Sequence, residues 1–381
     1  MTPTIPTTTE HLSEILREAS SKCQTITPTG NGTKQDWGNP ITPALEINTA
    51  QLTGIREHSW GDLTATVAAG TTWADMQAQL AKYNQRVALD PLFPTHATVG
   101  GVLATNDSGL LRLKYGSLRD LVLGMTIVLA DGIVARTGGK VVKNVAGYDL
   151  PKLLTGSFGT LAIITEATFR LHPVPAHIAT FTVRSADITP LADLMTAILR
   201  ASLSLEAMQL RNEQHAFALD LQLASLPEVL ADQQTRLQSL TNLPLEPADP
   251  TILAAREELF ANPEATILKI TCLPTKLAAL VAGVAALAQL PGHTAHCVAD
   301  PVGIVTLALA APPDQLSIIV EDLRARLLSS GGAVVVLRRG QLPLTTDTWD
   351  PPPPAIDIMR QIKREFDPQN LLNPGKFIGG I

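Results

Sequence analysis

The sequence predicts an α+β protein of two domains, and three observations predict it. Glycines and small polar residues punctuate short apolar runs from Leu12 to about Val174. From about His177 the glycines thin out, and strand-like and helix-like segments alternate in two successive β-α-β-β-α runs. The chain of 381 residues is also too long for one ordinary core. Repeated runs of this kind form one antiparallel sheet with helices on a face. The expected boundaries are 1–176, 177–350, and a tail, 351–381, that returns to the first domain.

The elements follow in order. A helix is expected over Glu10 to Ser20, then a strand-like stretch near Cys23 to Thr27 and the loop Pro28-Thr29-Gly30-Asn31-Gly32-Thr33-Lys34. Strands are expected around Ala44 to Ile47 and Ala65 to Ala68. Trp73, Met76, Leu80 and Tyr83 recur at spacings of three and four, which predicts a helix over Thr72 to Tyr83. A small-residue helix starts at Thr98-Val99-Gly100-Gly101, and Gly116 to Asp120 reads as a turn. Val122 to Leu129 and Leu161 to Leu171 are β-rich runs bounded by glycine.

In the second half, Thr180 to Val183 precedes a helix near Leu191 to Ser202. Strands at Ala207 to Leu210 and Phe217 to Leu221 lead into a helix near Leu226 to Leu240. After a helix near Leu253 to Phe260 the order recurs. Thr266 to Thr271 comes first, then a helix to Leu290, two strand-like runs, a helix near Leu316 to Ser329, and Ala333 to Leu337. Pro351 to Pro354 make a stiff connection to a last helix, Ile356 to Phe366, stopped by Asp367-Pro368.

Composition excludes several function classes. Aromatic residues are 4% of the chain, too few for base-stacking platforms, and the net charge of -6 offers no basic stripe to phosphates. Nucleic acid is therefore not an expected partner. Cys23, Cys272 and Cys297 are the three cysteines; they lie far apart and cannot hold an iron–sulfur cluster by themselves. The N-terminal segment has no basic region followed by an apolar run, so no signal peptide is expected. The most apolar stretch, Leu277 to Leu290, is shorter than the ~20 residues of a spanning helix. A cytoplasmic protein without a transmembrane segment is the expectation.

The loop Gly30 to Lys34 can form a concavity of backbone N–H groups suited to a pyrophosphate. It fails the P-loop pattern, which wants four residues between glycine and Gly-Lys, and no third glycine opens a helix as in the Rossmann fingerprint. The helix start at Thr98 to Gly101 is expected to expose N–H groups and a positive dipole end to negative charge. Glycines crowd the stretch Pro94 to Leu171, where the lack of a Cβ permits close approach of backbone to a ligand. A bound dinucleotide is the common cause favoured for these features.

Taken together, these residues resemble the PCMH-type FAD-binding domain of the vanillyl-alcohol-oxidase-like flavoproteins. The resemblance spans Leu12 to about Val174 and returns in Phe366 to Lys376, FDPQNLLNPGK. Within it, Gly138 to Leu171 is similar to the FAD-binding subunit of glycolate oxidase, the E subunit of a glycolate dehydrogenase complex. Lys143-Asn144-Val145-Ala146-Gly147-Tyr148-Asp149-Leu150 is the most specific run. The implied fold is an FAD-binding domain of two α/β subdomains plus an α+β cap domain with an antiparallel sheet.

The resemblance also implies a set of FAD-binding residues. Thr29, Gly30, Asn31, Gly32, Thr33 and Lys34 would wrap the pyrophosphate through backbone amides. Thr98, Gly100 and Gly101, with Val99, would sit against the diphosphate and ribityl, and Thr105 and Ser108 would point towards the flavin. Ser117 and Asp120 would continue that wall, with Pro91 also in the cofactor site. Gly159 and the backbone of Ile163 and Ile164 would hold the adenine side, and Asn373 would lie near the isoalloxazine. Covalently linked relatives carry His where Thr33 stands, and His96 is not the cysteine of doubly linked ones, so non-covalent FAD is expected.

Related single-chain 2-hydroxyacid dehydrogenases carry a His-x-Gly-Asp-Gly-Asn-like motif, which this sequence lacks. His293 and His296 are the nearest pair, and Ser157-Phe158-Gly159 stands where the family frequently has Ser-Glu-Gly. No catalytic residue and no metal site is assigned. Arg211, Arg338 and Arg339 could pair a substrate carboxylate bidentately. The implied function is the FAD-binding subunit of a glycolate oxidase complex, oxidising glycolate to glyoxylate. Its partners would be a catalytic flavoprotein sister subunit and an iron–sulfur subunit, which would place it in the cytoplasm or at the inner face of the membrane. The alternatives are an autonomous FAD-dependent 2-hydroxyacid (D-lactate-type) dehydrogenase and a non-catalytic flavin-binding scaffold.

Overall fold

The computed structural model describes residues 3–139 and 147–381. Lys143 to Ala146 of the most specific run therefore lie outside the described residues. The chain divides into two compact units, Met1–Val174 with Pro351–Ile381, and Pro175–Asp350.

The first unit opens with α1 (Thr9–Ser21), whose Leu12, Leu16 and Ala19 bury one apolar stripe while Thr8 caps its start. β1 (Ile26–Thr29) and β2 (Leu45–Asn48) pair in parallel and contribute Ile26 and Ile47 to the same small core. The larger core is built on β3 (Ile55–Ser59), β4 (Thr64–Ala68), β6 (Val122–Val128), β7 (Val134–Gly138) and β8 (Ile163–Arg170). These form an antiparallel sheet in the order β3-β4-β8-β6-β7. Against it packs α2 (Trp73–Ala81), whose Trp73 meets Phe169 of β8 edge-on at 5.9 Å. Tyr83, read as part of that helical face, lies beyond the helix end and is exposed.

Most of the remaining elements of this unit pack on the larger core, to which Val99, Leu118 and Leu154 belong. β5 (Gln85–Arg86) pairs with β9 (His172–Pro173). Between them in sequence come α3 (Val99–Thr105), α4 (Arg112–Tyr115), α5 (Leu118–Leu121) and α6 (Leu150–Leu154). Gly116 to Asp120 is more than a turn: Ser117 and Asp120 form a capping box at the start of α5.

The second unit carries one antiparallel sheet of eight strands, described residue by residue as β10 (Ile178–Ser185), β11 (Leu205–Asn212), β12 (Phe217–Ala224), β13 (Glu246–Pro247), β14 (Thr266–Thr271), β15 (Thr294–Asp300), β16 (Ile304–Ala310) and β17 (Ala333–Arg338). Their order is β13-β10-β12-β11-β15-β16-β14-β17. The two runs read in the sequence are thus halves of equal topology, β13-β10-β12-β11 and β17-β14-β16-β15. They join where Leu210 faces Ala299 and Arg211 faces Val298. α7 (Thr189–Arg200) packs on β10 and β12, α10 (Leu277–Leu287) on β15, and α11 (Pro313–Leu328) on β17. α8 (Pro227–Ser239) connects β12 to β13 within the first half, α9 (Ala255–Glu258) lies in the connection between the halves, and α12 (Ile356–Phe366) leads the chain back into the first unit.

Candidate functional site

A cleft in the first unit gathers residues from four distant stretches of sequence. Its walls are the loop Pro28 to Gln35 with Trp37 and Thr49, the α3 residues Gly100, Gly101, Ala104 and Thr105 beside Thr98, the segments Ser157 to Gly159 and Ala162 to Ile164, and Asn373 with Lys376. Its cavity volume is about 90 Å³, and it opens to solvent. Thr29 to Lys34, Thr98, Gly100, Gly101, Thr105, Gly159, Ile163, Ile164 and Asn373 all line it.

The glycines serve the fold of this cleft in different ways. A Cβ on Gly30 would fall inside 3.0 Å of the Thr98 hydroxyl, and one on Gly100 would press on Ala69. These two let protein segments approach each other rather than a ligand. Gly32 differs: it has φ +74 and nothing within 4 Å of an added Cβ, so it faces open space in a backbone conformation that favours glycine. The N–H groups of Asn31, Gly32 and Thr33 donate to no protein acceptor among the described residues. They are donors of the kind a pyrophosphate takes up.

The start of α3 departs from the sequence expectation. The N–H of Val99 donates to Thr71 O, that of Gly100 to Ala69 O, and that of Gly101 to Thr98 Oγ1. The donors expected to be exposed there are already engaged, because Thr98 caps its own helix and the preceding strand end reaches the next two. Val99 itself is a fully buried core residue. The cleft also stops short of Pro91, Ser108, Ser117 and Asp120. Ser108 Oγ accepts from Arg112 at 3.4 Å. The Ser117 hydroxyl and N–H both bind Asp120, and the hydroxyl holds that carboxyl below its ordinary pKa. These two build the helix cap of α5.

Two buried lysines border the cleft. Lys34 donates to Leu92 O and lies 3.4 Å from the buried Asp107 carboxylate, so its charge is balanced within the protein. Lys376, which sequence reasoning did not single out although it belongs to the LNPGK tail, donates to Gln35 O. Burial pushes its pKa down, against the opposing pull of Asp36. The tail is positioned by a second buried knot. Lys363 Nζ binds Asp367, Thr160 O and Leu372 O, while Asp367 accepts the N–H groups of Leu371 and Leu372. This gives the Asp-Pro after α12 its physical meaning: the carboxylate folds the turn that sets Asn373 at the cleft.

Asn373 decides how well the cleft suits a cofactor with hydrogen-bond donors. Its Nδ2 donates to the Phe158 carbonyl at 2.7 Å, and its N–H to Ile26 O. Its Oδ1 is buried with no partner among the described residues. An open cleft with free backbone donors at one wall and an orphan acceptor at another fits a cofactor carrying both phosphates and N–H groups.

The residues of the second unit offered for carboxylate binding are all engaged. Arg211 binds Asp220 through Nε and Nη2 and Glu213 through Nη1. Arg338 donates to the carbonyls of Phe260, Asn262 and Ala265, and Arg339 to those of Pro343 and Thr346 and to Thr348 Oγ1. His293 is buried with Nδ1 at Pro291 O, whereas His296 is exposed on β15. Among the described residues, no group of three or more His, Cys, Asp and Glu side chains is arranged to hold a metal ion. None of their helices is long and apolar enough to cross a membrane.

Comparison with known proteins decides the cofactor. The FAD binding domain family matches residues 4–138, and the C-terminal domain of FAD linked oxidases matches residues 348–377. The protein is an FAD-dependent oxidoreductase. This oxidoreductase is 28% identical to glycolate oxidase subunit GlcD of Bacillus subtilis over 97% of its own chain and 87% of the relative. It is also 28% identical to a D-lactate dehydrogenase of Archaeoglobus fulgidus, over 98% of its chain and 90% of the relative. To glycolate oxidase subunit GlcE of Escherichia coli it is 34% identical over 43% of its chain and 47% of the relative. Its fold matches an alkyldihydroxyacetonephosphate synthase structure with a TM-score of 0.72 at 17% identity, covering 97% of this chain and 75% of that one.

Proposed function

We propose that this flavoprotein is the FAD-binding subunit of a glycolate oxidase or dehydrogenase complex, oxidising a small 2-hydroxy acid and passing electrons to an iron–sulfur partner. The observation that carries the reading is a cofactor cleft in a chain whose Arg211, Arg338 and Arg339 are committed to internal partners. A subunit that leaves part of substrate recognition to a sister chain has this pattern. The relatives named as glycolate oxidase subunits support the substrate class.

Bound FAD supplies the redox chemistry, accepting electrons from the substrate and delivering them onward. The protein's own residues bind and orient it non-covalently. Asn31 to Thr33 offer backbone donors to the diphosphate, with Lys376 close by as a cation. Gly159, Ile163 and Ile164 form the wall for the adenine, while Gly101, Thr105 and Asn373 border the rest.

An autonomous D-lactate-type dehydrogenase is the second reading, favoured by the near full-length alignment with the Archaeoglobus fulgidus enzyme. The deciding experiment is anaerobic reduction of the FAD-loaded protein by glycolate or D-lactate, followed by flavin absorbance. Bleaching only when partner subunits are co-purified supports the subunit reading. Bleaching of the isolated chain replaces it with the autonomous enzyme, and flavin that stays oxidised in an active complex replaces it with a scaffold.

A further inference from the structure

The orientation of the Asn373 carboxamide is settled by chemistry. A carbonyl oxygen cannot donate, so the group facing the Phe158 carbonyl must be Nδ2, which leaves Oδ1 on the other side. Both residues sit at positive φ, Asn373 at 44° and Phe158 at 54°. For a residue as bulky as phenylalanine this conformation is strained and persists only when the surroundings enforce it. The enforcement is visible: Phe158 donates its N–H to Ala104 O and accepts from Asn373 with its carbonyl. Gly159 follows at φ +66, and a Cβ there would meet Pro28 and Asn373 Nδ2. The carboxamide is thus clamped on one side, and its remaining lone pairs border the cleft. Asn373 is only 4% exposed, so an acceptor left without a donor there carries an uncompensated desolvation cost.

We propose that Asn373 is a positioning residue whose Oδ1 accepts a hydrogen bond from an N–H group of FAD, either the adenine amino group or the flavin imide. The proposal deepens the FAD assignment and rests on it. It also gives the strained Phe158-Gly159 turn a purpose, since the turn places the carbonyl that fixes the carboxamide. The C-terminal segment then reads one end of the cofactor while β1 and the loop after it hold the phosphates.

The test uses the full chain freed of flavin and three ligands: FAD, its 3-methyl-flavin analogue, and its hypoxanthine analogue, which lacks the adenine amino group. Wild type is expected to bind one analogue at least five-fold more weakly than FAD, which names the end that Asn373 reads. In Asn373→Gly, a substitution compatible with φ 44°, that preference is expected to disappear while FAD itself binds more weakly. Equal wild-type affinity for all three ligands overturns the proposal without any variant. An Asn373→Gly protein that keeps the wild-type ratios while losing only thermal stability overturns it too, because the residue is then a structural clamp. Failure of wild type to bind FAD at all defeats the cofactor assignment instead, and is read separately.

Discussion

Gly30 and Thr98 approach so closely that a β-carbon on the glycine would overlap the threonine hydroxyl that caps α3. This contact locks the loop Pro28 to Gln35 to the start of α3. Gly30→Ala is expected to cost about 1–3 kcal/mol of stability by overpacking and to weaken FAD binding. Thr98→Ala removes the two atoms that clash most, Oγ1 and Cγ2, so adding it to Gly30→Ala should recover part of the loss. Chemical denaturation and FAD titration of both single variants and the double variant check this; additive losses would contradict it.

Lys363 and Asp367 form a buried pair at 2.6 Å that anchors the C-terminal turn. Lys363→Met leaves the carboxylate unpaired and is expected to destabilise the first unit by about 3–5 kcal/mol. Because this turn carries Asn373 and Lys376 to the cleft, retention of flavin on gel filtration should fall in parallel. A variant that keeps its flavin and its melting temperature would show the knot to be dispensable.

Asp120 supplies the pH-dependent prediction. The Ser117 hydroxyl stabilises its ionised form, so its folded pKa lies below the unfolded value of 3.8. The cap's contribution is then complete above about pH 4 and fades as pH falls through the folded pKa. The site is exposed, so the effect is under about 1 kcal/mol. Melting temperatures of wild type and Asp120→Asn should differ at neutral pH and converge as pH falls below the folded pKa of Asp120.

The three thiols should separate by environment. Cys23 is exposed, burial raises the pKa of Cys272, and burial pushes that of Cys297 up to about 12. Thiol titration of the native protein is expected to give one fast equivalent, which Cys23→Ser abolishes. Cys297 should react only after unfolding; rapid native labelling at that position would contradict its burial.

Arg211 is expected to act on stability rather than on substrate. Arg211→Lys breaks a bidentate pair with the fully buried Asp220, which also accepts from Thr182 and Gln209. The melting temperature should fall while KM for the 2-hydroxy acid stays unchanged. A rise in KM without loss of stability would return Arg211 to the substrate site.

Much of the fold was legible because period and punctuation report it directly. Ile356 to Phe366 and Thr266 to Thr271 form a helix and a strand with the expected ends, since a helix closed by Asp-Pro and a β-branched run leave little choice. The half-buried strand Ile55–Ser59 is not anticipated, because its polar sequence, IREHS, carries little alternation. The cleft-lining residues of the GNGTK loop and the LNPGK tail are legible as motifs. Lys376 was passed over within one of them because a lysine in a tail reads as solvated until its burial is seen.

The sequence by itself determined that this chain has two kinds of domain, a cofactor-holding half rich in glycine and a second half of repeated strands and helices. Those properties are local, written in spacing, turn residues and composition. Only the tertiary structure decided what each nominated group does. It engaged the first N–H groups of α3, turned Ser117 and Asp120 into a cap, and spent Arg211, Arg338 and Arg339 on internal partners. It also left the Asn373 oxygen alone at the cleft. Hydrogen-bond satisfaction is a property of which distant segments meet, and sequence spacing does not record it.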